Sequence, residues 1–306
     1  ALFDLVRASW SRWPGFAERL IEASGVDVEY RTTGLLMLFG ATGEPIDDVL
    51  SWNAAHGVRA ERLSTGEALR LEPGLGRAFD GAVLLPDVAQ VRNPRIPRAL
   101  AVAAARKGAI LHAETPVHRL DVSGGRVRAV ETARGRFEAG AVVLASGAWT
   151  RRLAEPAGLA HLPVDPVKGQ IVLLETPGRV VERCVLQGEH YLVPRADGRL
   201  LVGSTVEPDA GFDTRPTAAV VARLTAAACR MVPALERATF VRAWAGLRPA
   251  TPRGLPYIGP VPEVEGLWFA AGHYRNGLSL APITAELVAD LMAGRAPAVD
   301  AAPFLP

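Results

Sequence analysis

Hydrophobic residues that recur at helical spacing predict several amphipathic helices. The opening stretch, 1–21, places Leu2, Leu5 and Val6 on one side of a helix. Ser64 and Glu67 have the Ser-x-x-Glu spacing of a capping box, so a short helix to about residue 72 is expected to follow. The other predicted helices cover 45–56, 99–106, 217–231 and 277–294.

Runs of β-branched and aromatic residues predict strands between these helices. The stretch 28–39 is expected to form a strand or a strand pair, and 117–122 and 127–132 form a hairpin through a Gly-Gly turn. The apolar run 141–145 is typical of a strand buried on both faces of a parallel sheet. The other predicted strands are 109–114, 169–175, 190–194, 199–204, 240–247 and 267–272.

The order of these elements predicts an α/β fold combined with antiparallel β structure. An α/β stretch is followed from residue 166 by a β-rich one, and the chain then returns to α/β. The last strand and helix lack partners of their own and would complete the first α/β layer, so two interleaved domains are expected. The Rossmann-like domain is predicted over 1–30, 87–162 and 262–306, and a mixed or antiparallel sheet domain with helices over 31–86 and 163–261.

Composition narrows the classes of protein to which the chain could belong. With 306 residues, 49% hydrophobic and 22% charged, it has the composition of a globular protein with a sizeable core. The net charge is +2 without long charge runs, which argues against a nucleic-acid partner, and the apolar stretches are too short to span a membrane. Two widely spaced cysteines suggest no disulfide framework or zinc site, so a reduced cytoplasmic setting is expected. The six histidines show no paired ligand spacing, and no metal is expected.

One glycine pair imitates a dinucleotide loop. Gly74 and Gly76 have the start of the GxGxxG spacing, but Phe79 replaces the third glycine and no buried strand precedes them, so a turn is predicted. The small residues after the strand 141–145 are more suggestive, since they let a backbone pass close to a ligand, although an ordinary tight turn explains them equally well. The chain contains no complete fingerprint of this kind.

Three phrases in the last third of the chain carry a family resemblance. They are WAGLRP at 244–249, PYIGP at 256–260 and AGHYRNG at 271–277. Together with YLVPR, LVGST, PVKGQ and ETPV further upstream, they make the chain similar to the glycine oxidase family, a branch of the FAD-dependent amine and D-amino acid oxidases. The resemblance extends over essentially the whole chain from the first helix onward. It implies that the Rossmann-like domain binds FAD and that the other domain binds the substrate.

The resemblance also implies roles for particular residues. Arg248 would bind the substrate carboxylate with Tyr191 as a hydroxyl donor, and Arg275 would lie beside the substrate amine. A guanidinium fork matches a carboxylate in a bidentate manner, which agrees with this role; an ordinary surface ion pair is the alternative for Arg248. The residues expected to contact the cofactor are Val117, Ala145, Ser146, Gly147, Trp149, Gly246, Gly272, His273, Tyr274, Asn276, Gly277 and Leu278.

The implied reaction is the oxidative deamination of glycine or another small amino acid. Hydride would pass from Cα to flavin N5, water would hydrolyse the imine, and dioxygen would be reduced to hydrogen peroxide, with a role in forming the thiazole of thiamine. None of the matched residues is a strong acid or base, so no acid–base catalyst is assigned. The alternatives are a sarcosine or D-amino acid oxidase, a dehydrogenase with another electron acceptor, and an inactive fragment without FAD. A homo-oligomer is left open.

The first residue of the chain is relevant to the alternative of an inactive fragment without FAD. The chain begins with Ala1 inside a predicted helix and has no initiator methionine, so a fragment or a processed chain is expected. The expected missing part is the whole N-terminal βαβ unit that carries the GxGxxG loop, which takes about 30 residues or more.

Overall fold

The computed structural model describes residues 1–40 and 45–306. The α-helices are α1 Leu2–Ser24, α2 Ile46–Ala55, α3 Thr65–Leu71, α4 Arg95–Arg106, α5 Thr150–Ala154, α6 Ala218–Met231 and α7 Ala281–Met292. The strands are β1 Arg31–Thr32, β2 Leu35–Phe39, β3 Glu61–Ser64, β4 Gly81–Leu85, β5 Ala89–Gln90, β6 Val117–Ser123, β7 Arg126–Thr132, β8 Gly135–Glu138, β9 Val142–Leu144, β10 Asp165–Glu175, β11 Cys184–Gln187, β12 His190–Pro194, β13 Arg199–Gly203, β14 Thr239–Ala250, β15 Tyr257–Pro260 and β16 Leu267–Ala271.

An eight-stranded sheet forms the largest part of the fold. Its strand order is β14-β10-β13-β12-β11-β2-β4-β3, and all neighbours are antiparallel except the pair β11 and β2. Helices α3 and α6 pack against one face, where Leu36, Leu192, Val202 and Leu224 are fully buried. The opposite face carries the side chains of the site described below. The predicted antiparallel sheet is therefore confirmed.

Two three-stranded sheets and a strand pair complete the architecture. The order β15-β16-β9 contains one antiparallel and one parallel pair, and β6-β7-β8 is an antiparallel meander. A shared core that includes Val127, Leu144 and Phe269 joins these two sheets. Strands β1 and β5 pair separately. The α/β fold combined with antiparallel sheets agrees with the expected fold class, and the division into two domains stays a prediction.

Helix α1 connects the parts of the molecule because it buries a stripe of residues. Leu5 packs with Ile258 and α7, while Trp13 and Ala17 pack with α4. The stripe recurs every three or four residues, the spacing of one helix face. Gly25 ends the helix in the left-handed conformation, with φ of 74°, and its amide donates to the carbonyl of Ile21. The helix is thus longer than the predicted 1–21.

Some predicted elements differ from the structure. The stretch 109–114 is wrong as a strand: all its side chains are exposed, including 81% of Ile110, and no described strand pairs with it. Strand β9 is present, but the expected burial on both faces is wrong: Val143 is 38% exposed because its side chain borders an open groove beside α7. The last helix begins at Ala281 rather than at Gly277, which lies in the turn after a short 3-10 helix.

The glycine pair that imitates a dinucleotide loop has a packing role. A Cβ at Gly74 would overlap the carbonyl of Val180, and one at Gly76 would overlap the carbonyl of Arg230. The amide of Gly76 donates to the carbonyl of Met231 at 2.8 Å. The predicted turn after a helix is confirmed.

None of the helices in the described residues is both long enough and apolar enough to cross a bilayer.

Predicted helix α3 is present with its capping box, and a buried carboxylate fixes its end. Ser64 accepts from the amide of Glu67, whose side chain accepts from the amide of Ser64. Just past the helix, Glu72 is 2% exposed and accepts hydrogen bonds from the amides of Glu182 and Arg183 and from the Arg183 guanidinium, at 2.9 to 3.0 Å. It therefore ties α3 to the segment before β11.

We expect Glu72→Gln to lower the free energy of unfolding by about 2 kcal/mol, because the substitution leaves the half-buried guanidinium of Arg183 and two amides with a weaker acceptor. Urea unfolding of the variant and the wild type measures the difference. Glu61→Gln is the control, since Glu61 is exposed and 3.8 Å from Arg59. Equal losses in both variants would contradict the role of Glu72.

Candidate active site

Two glycines on the large sheet make room for the side chains that define the site. Gly169 of β10 pairs with Gly246 of β14, and the guanidinium of Arg248 lies across it, so a Cβ at residue 169 would overlap that group. Gly203 of β13 pairs with Tyr191 of β12, whose ring lies across it in the same way. Both side chains therefore lie close against the sheet face, and any larger residue at either glycine would displace them.

Arg248 is held by neutral oxygen atoms rather than by a carboxylate. Nη1 donates to the carbonyl of Thr205 at 3.0 Å and that of Lys168 at 3.4 Å, and Nη2 donates to Ser204 Oγ at 2.8 Å. No acidic group of the described residues pairs with it. A partly buried guanidinium without a counter-ion is suited to binding an anion.

The groups around Arg248 shift the pKa of its guanidinium in both directions. Burial lowers the pKa of its guanidinium and Arg275 lowers it further, while Tyr191, Tyr274 and the carboxylate of Glu207 raise it. The group stays charged, because arginine does not lose its proton in proteins. Arg248, Arg275 and Tyr191 thus lie near one another, and their roles in binding a substrate stay a prediction.

A polar network holds the oxygens that orient Arg248. Glu207 accepts from Gln170 Nε2 at 2.9 Å and from Thr205 Oγ1, and it lies 3.8 Å from Lys168 Nζ. Lys168 is buried and also pairs with Asp213 at 3.5 Å. These contacts fasten the segment after β13 to β10, which fixes the carbonyl of Thr205 beneath Arg248.

A cavity of about 1010 Å³ lies beside Tyr191 and Arg275, and Arg248 is not among the residues that line it. The cavity floor on the large sheet includes Ile171, Val193 and Leu201. Helices α1 and α2 frame the other side through Trp10, Trp13 and Trp52. The cavity walls are largely apolar and aromatic, as is usual for small-molecule sites.

A second, smaller groove of about 440 Å³ runs beside α7. His273 borders it and makes a hydrogen bond between Nε2 and Thr284 Oγ1 at 3.0 Å. Burial lowers the pKa of His273 from 6.5 to about 4, so its ring is neutral at pH 7. The other residues along this groove are Val143, Ala145, Ala270, Gly277, Ala281, Ala285, Val288, Ala289 and Met292.

The turn before α7 presents unused backbone donors. The amides of Gly277, Leu278 and Ser279 donate to no acceptor in the part of the chain that the structure describes. They precede the N-terminus of a 12-residue helix, where the helix dipole also favours negative charge. The turn is therefore suited to holding a carbonyl-rich or anionic edge of a ligand.

The residues predicted to bind the cofactor occupy several places. Ala145, His273 and Gly277 border the groove, with Ser146 and Gly147 directly after Ala145, and Leu278 borders the large cavity. A Cβ at Gly147 would meet no atom within 4 Å, so the backbone there is open to a ligand.

The remaining predicted residues lie elsewhere. Tyr274 and Asn276 form the short 3-10 helix of the turn before α7. At Gly272, where φ is 80°, a Cβ would overlap Thr251. Ser146, Gly147, Gly272, Tyr274 and Asn276 line neither the large cavity nor the groove, and the same is true of Val117, Trp149 and Gly246.

Sequence reasoning missed four residues that organise the site. Gly169 and Gly203 are glycines inside strands, which is a recognisable sign of a close approach to the backbone. Ser204 and Glu207 gave no comparable signal, because their role depends on the pairing of β10, β13 and β14. The described residues contain no group of three or more His, Cys, Asp and Glu side chains that could hold a metal ion.

Comparison with known proteins places the chain among flavoenzymes. The family model described as FAD dependent oxidoreductase matches residues 1–291. The chain is 43% identical to glycine oxidase from Pseudomonas aeruginosa over 98% of its own length and 82% of that protein. It is 35% identical to the bifunctional protein ThiO/ThiG of Synechocystis over 95% of its length and 42% of that protein.

A solved structure agrees with these sequence matches. The crystal structure of glycine oxidase from Geobacillus kaustophilus superposes with a TM-score of 0.94 at 40% identity, covering 99% of this chain and 82% of that one. The fold and the chain sequence thus point to the same family.

The low pKa of His273 predicts a pH dependence of stability. Between pH 6.5 and about 4 the unfolded chain binds a proton at this ring and the folded chain does not, so the free energy of unfolding falls as the pH falls through this range. We expect His273→Gln to make this decrease shallower. Urea unfolding at pH 4.5 and 7 measures it, with His161→Gln as the control because His161 is exposed. A ring that titrates near 6.5 by NMR would contradict the burial effect.

Proposed function

The chain belongs to the FAD-dependent oxidoreductase family that includes the glycine oxidases, and on that basis we propose that it deaminates glycine or another small amino acid oxidatively. The Cα hydrogen leaves as hydride and the amine loses a proton, giving an imine that water hydrolyses to a 2-oxo acid and ammonia. The relatives named glycine oxidase, at 43% identity, support this substrate class.

The observation that carries the proposal is the guanidinium of Arg248. It lies across Gly169, is fixed by three neutral oxygens, and pairs with no carboxylate of the described residues. Nε has no acceptor among the described residues, so a substrate carboxylate would supply the missing negative charge. Tyr191, held over Gly203, would donate its hydroxyl to the same carboxylate.

Orientation is the contribution that we assign to the other side chains. Arg275 borders the cavity near Arg248 and would lie beside the substrate amine. Tyr191 and Arg275 are not strong bases, and we assign no residue to acid–base catalysis. Binding of the carboxylate at a fixed position orients the rest of the substrate. The Cα hydrogen then points in a defined direction, which lowers the entropic cost of reaching the transition state.

The residues present fit a flavin cofactor. The free amides of Gly277, Leu278 and Ser279 match a heterocycle edge rich in carbonyl groups, and the groove beside α7 is apolar. Ala145 and His273 border that groove, and we assign Ser146, Gly147, Gly272, Tyr274 and Asn276 to the same ligand. The chemistry supplied by bound FAD is hydride uptake from Cα and transfer of the two electrons to dioxygen, which becomes hydrogen peroxide.

The cellular setting is part of the proposal. Cys184 and Cys229 are both free, which agrees with a reducing compartment such as the cytoplasm. The relatives named bifunctional protein ThiO/ThiG support a role of the product in thiamine thiazole formation.

Substitution of Arg248 tests the proposed carboxylate anchor. We expect Arg248→Ala to raise the KM for glycine at least thirtyfold while the flavin absorption spectrum stays unchanged, because truncating one partner of a charged hydrogen-bonded pair costs about 2 kcal/mol or more. Arg248→Lys should recover only part of the loss, since an ammonium lacks the fork. Peroxide formation at varied glycine concentration gives the KM.

Arg242→Ala is the matched control for this experiment. Arg242 lies on the same strand and is exposed, with its guanidinium 4.8 Å from the ring centroid of Trp244. An unchanged KM in Arg248→Ala would overturn the assignment of the anchor. Amine-dependent flavin reduction without peroxide formation would instead indicate a dehydrogenase.

Substitution of Gly169 tests the role of the glycine beneath Arg248. We expect Gly169→Ala to raise the KM for glycine about tenfold or more, because the added Cβ displaces the guanidinium from the position in which it meets the carboxylate. Gly140→Ala is the control, since a Cβ there would meet no atom within 4 Å. Equal KM values for the wild type and Gly169→Ala would show that the contact with residue 169 does not position Arg248.

A further inference from the structure

Arg195 is a buried cation at the far end of the large cavity. It is 7% exposed and borders the cavity. Nη1 uses both its hydrogens, donating to Gln90 Oε1 at 3.0 Å and to the carbonyl of Val91 at 2.8 Å. Nε and Nη2 donate to no acceptor among the described residues. The edge of the guanidinium that can hold a carboxylate in a bidentate manner is therefore free.

The acidic groups nearest to Arg195 are paired with other arginines. Glu29 lies 3.1 Å from both Arg92 and Arg95, and Asp197 lies 2.8 Å from Arg92. No described carboxylate lies within ion-pair distance of Arg195. Burial and Arg92 lower the pKa of its guanidinium, and Glu29 and Asp197 raise it only from a distance. A buried charge without a partner is costly, so a ligand that enters the cavity would be its natural counter-ion.

The position of Arg195 on the sheet sets the distance to the proposed anchor. Tyr191, Val193 and Arg195 alternate along one face of β12 and its end, and all three border the cavity. Four residues of extended strand cover about 13 Å. Between the two ends, the cavity floor is apolar, formed by Val193 and its cross-strand partner Leu201.

We propose that Arg195 is a second anion-binding group, and that the substrates of this site include amino acids with a second carboxylate at the end of an apolar chain. This inference rests on the proposed function, in which Arg248 and Tyr191 bind the first carboxylate. Glycine fills only a small part of a cavity of about 1010 Å³ and does not reach Arg195. The apolar floor accommodates the methylene chain, and the free edge of Arg195 binds its terminal acid.

A series of N-(ω-carboxyalkyl)glycines of increasing chain length tests the proposal with the FAD-loaded protein. For each length, the control ligand is the N-alkylglycine that ends in a methyl group. We expect the KM of the acid-ended compound to fall about tenfold or more below that of its methyl-ended partner at one optimal length. Arg195→Met should remove this difference and leave the KM for glycine unchanged.

Two further variants separate binding from folding. Arg95→Met removes a nearby arginine that pairs with Glu29 and does not border the cavity. This variant should therefore keep the preference for the acid-ended compound. Arg195→Lys retains the charge without the fork and should keep part of the preference, even if Arg195→Met is unstable. An equal KM for both ligand classes at every length in the wild type, or an undiminished preference in Arg195→Lys and Arg195→Met, would overturn the proposal.

Calorimetric binding of the same ligands under anaerobic conditions distinguishes this inference from the proposed function. Tighter binding of the acid-ended ligand that depends on Arg195, together with no oxidation of any amine in the aerobic assay, would refute the proposed function and support the anion site. Oxidation of glycine with equal affinity for both ligand classes would refute the anion site alone.

Discussion

The close contact of a guanidinium with a glycine on a sheet is the constraint on which the rest of the site depends. Arg248 can approach β10 only because residue 169 has no side chain, and the same holds for Tyr191 and Gly203 on β13. The two glycines lie on neighbouring strands, so the sheet itself sets the spacing of the two groups. A rigid strand pair positions a binding group more accurately than a loop does, because its neighbours fix it by hydrogen bonds.

The two carboxylates nearest to the site contact Lys168 and not Arg248. Lys168 and Gly169 are neighbours on β10, so their side-chain positions point to opposite faces. Glu207 and Asp213 pair with Lys168, while Arg248 lies over Gly169 with neutral oxygens as its only described partners. Had either carboxylate reached Arg248, an internal ion pair would occupy the proposed substrate site. The buried lysine thus contributes to anion binding without contacting the anion.

The sequence predicted best those elements that depend on residues close to one another in the chain. Strand β12 and the capping box of α3 agree with prediction because their alternation and capping chemistry lie within a few residues. The stretch 109–114 failed because a β-forming composition produces no strand without a partner. Strand β15, which was not predicted, exists because β16 lies beside it.

The candidate site also depends on contacts between strands that are distant in the sequence, and the sequence did not predict these contacts. Arg248, Tyr191 and Arg275 were named from a family resemblance, and the structure brings them together. Gly169 and Glu207 were not named, because nothing in a single strand shows which side chain from another strand will cover it. Cross-strand register is a property of the folded sheet.

One strand carries both ends of the proposed binding path. Tyr191 lies near the start of β12 and Arg195 directly follows its last residue on the same face, so the rise of the strand sets most of the separation of the two backbones. β12 is hydrogen-bonded on both sides, by β11 and β13, so it cannot shorten or slide without breaking both ladders. A substrate that contacts both residues is therefore selected by length as well as by charge. A short substrate escapes this selection because it uses only the Tyr191 end, and the same site can accept both classes.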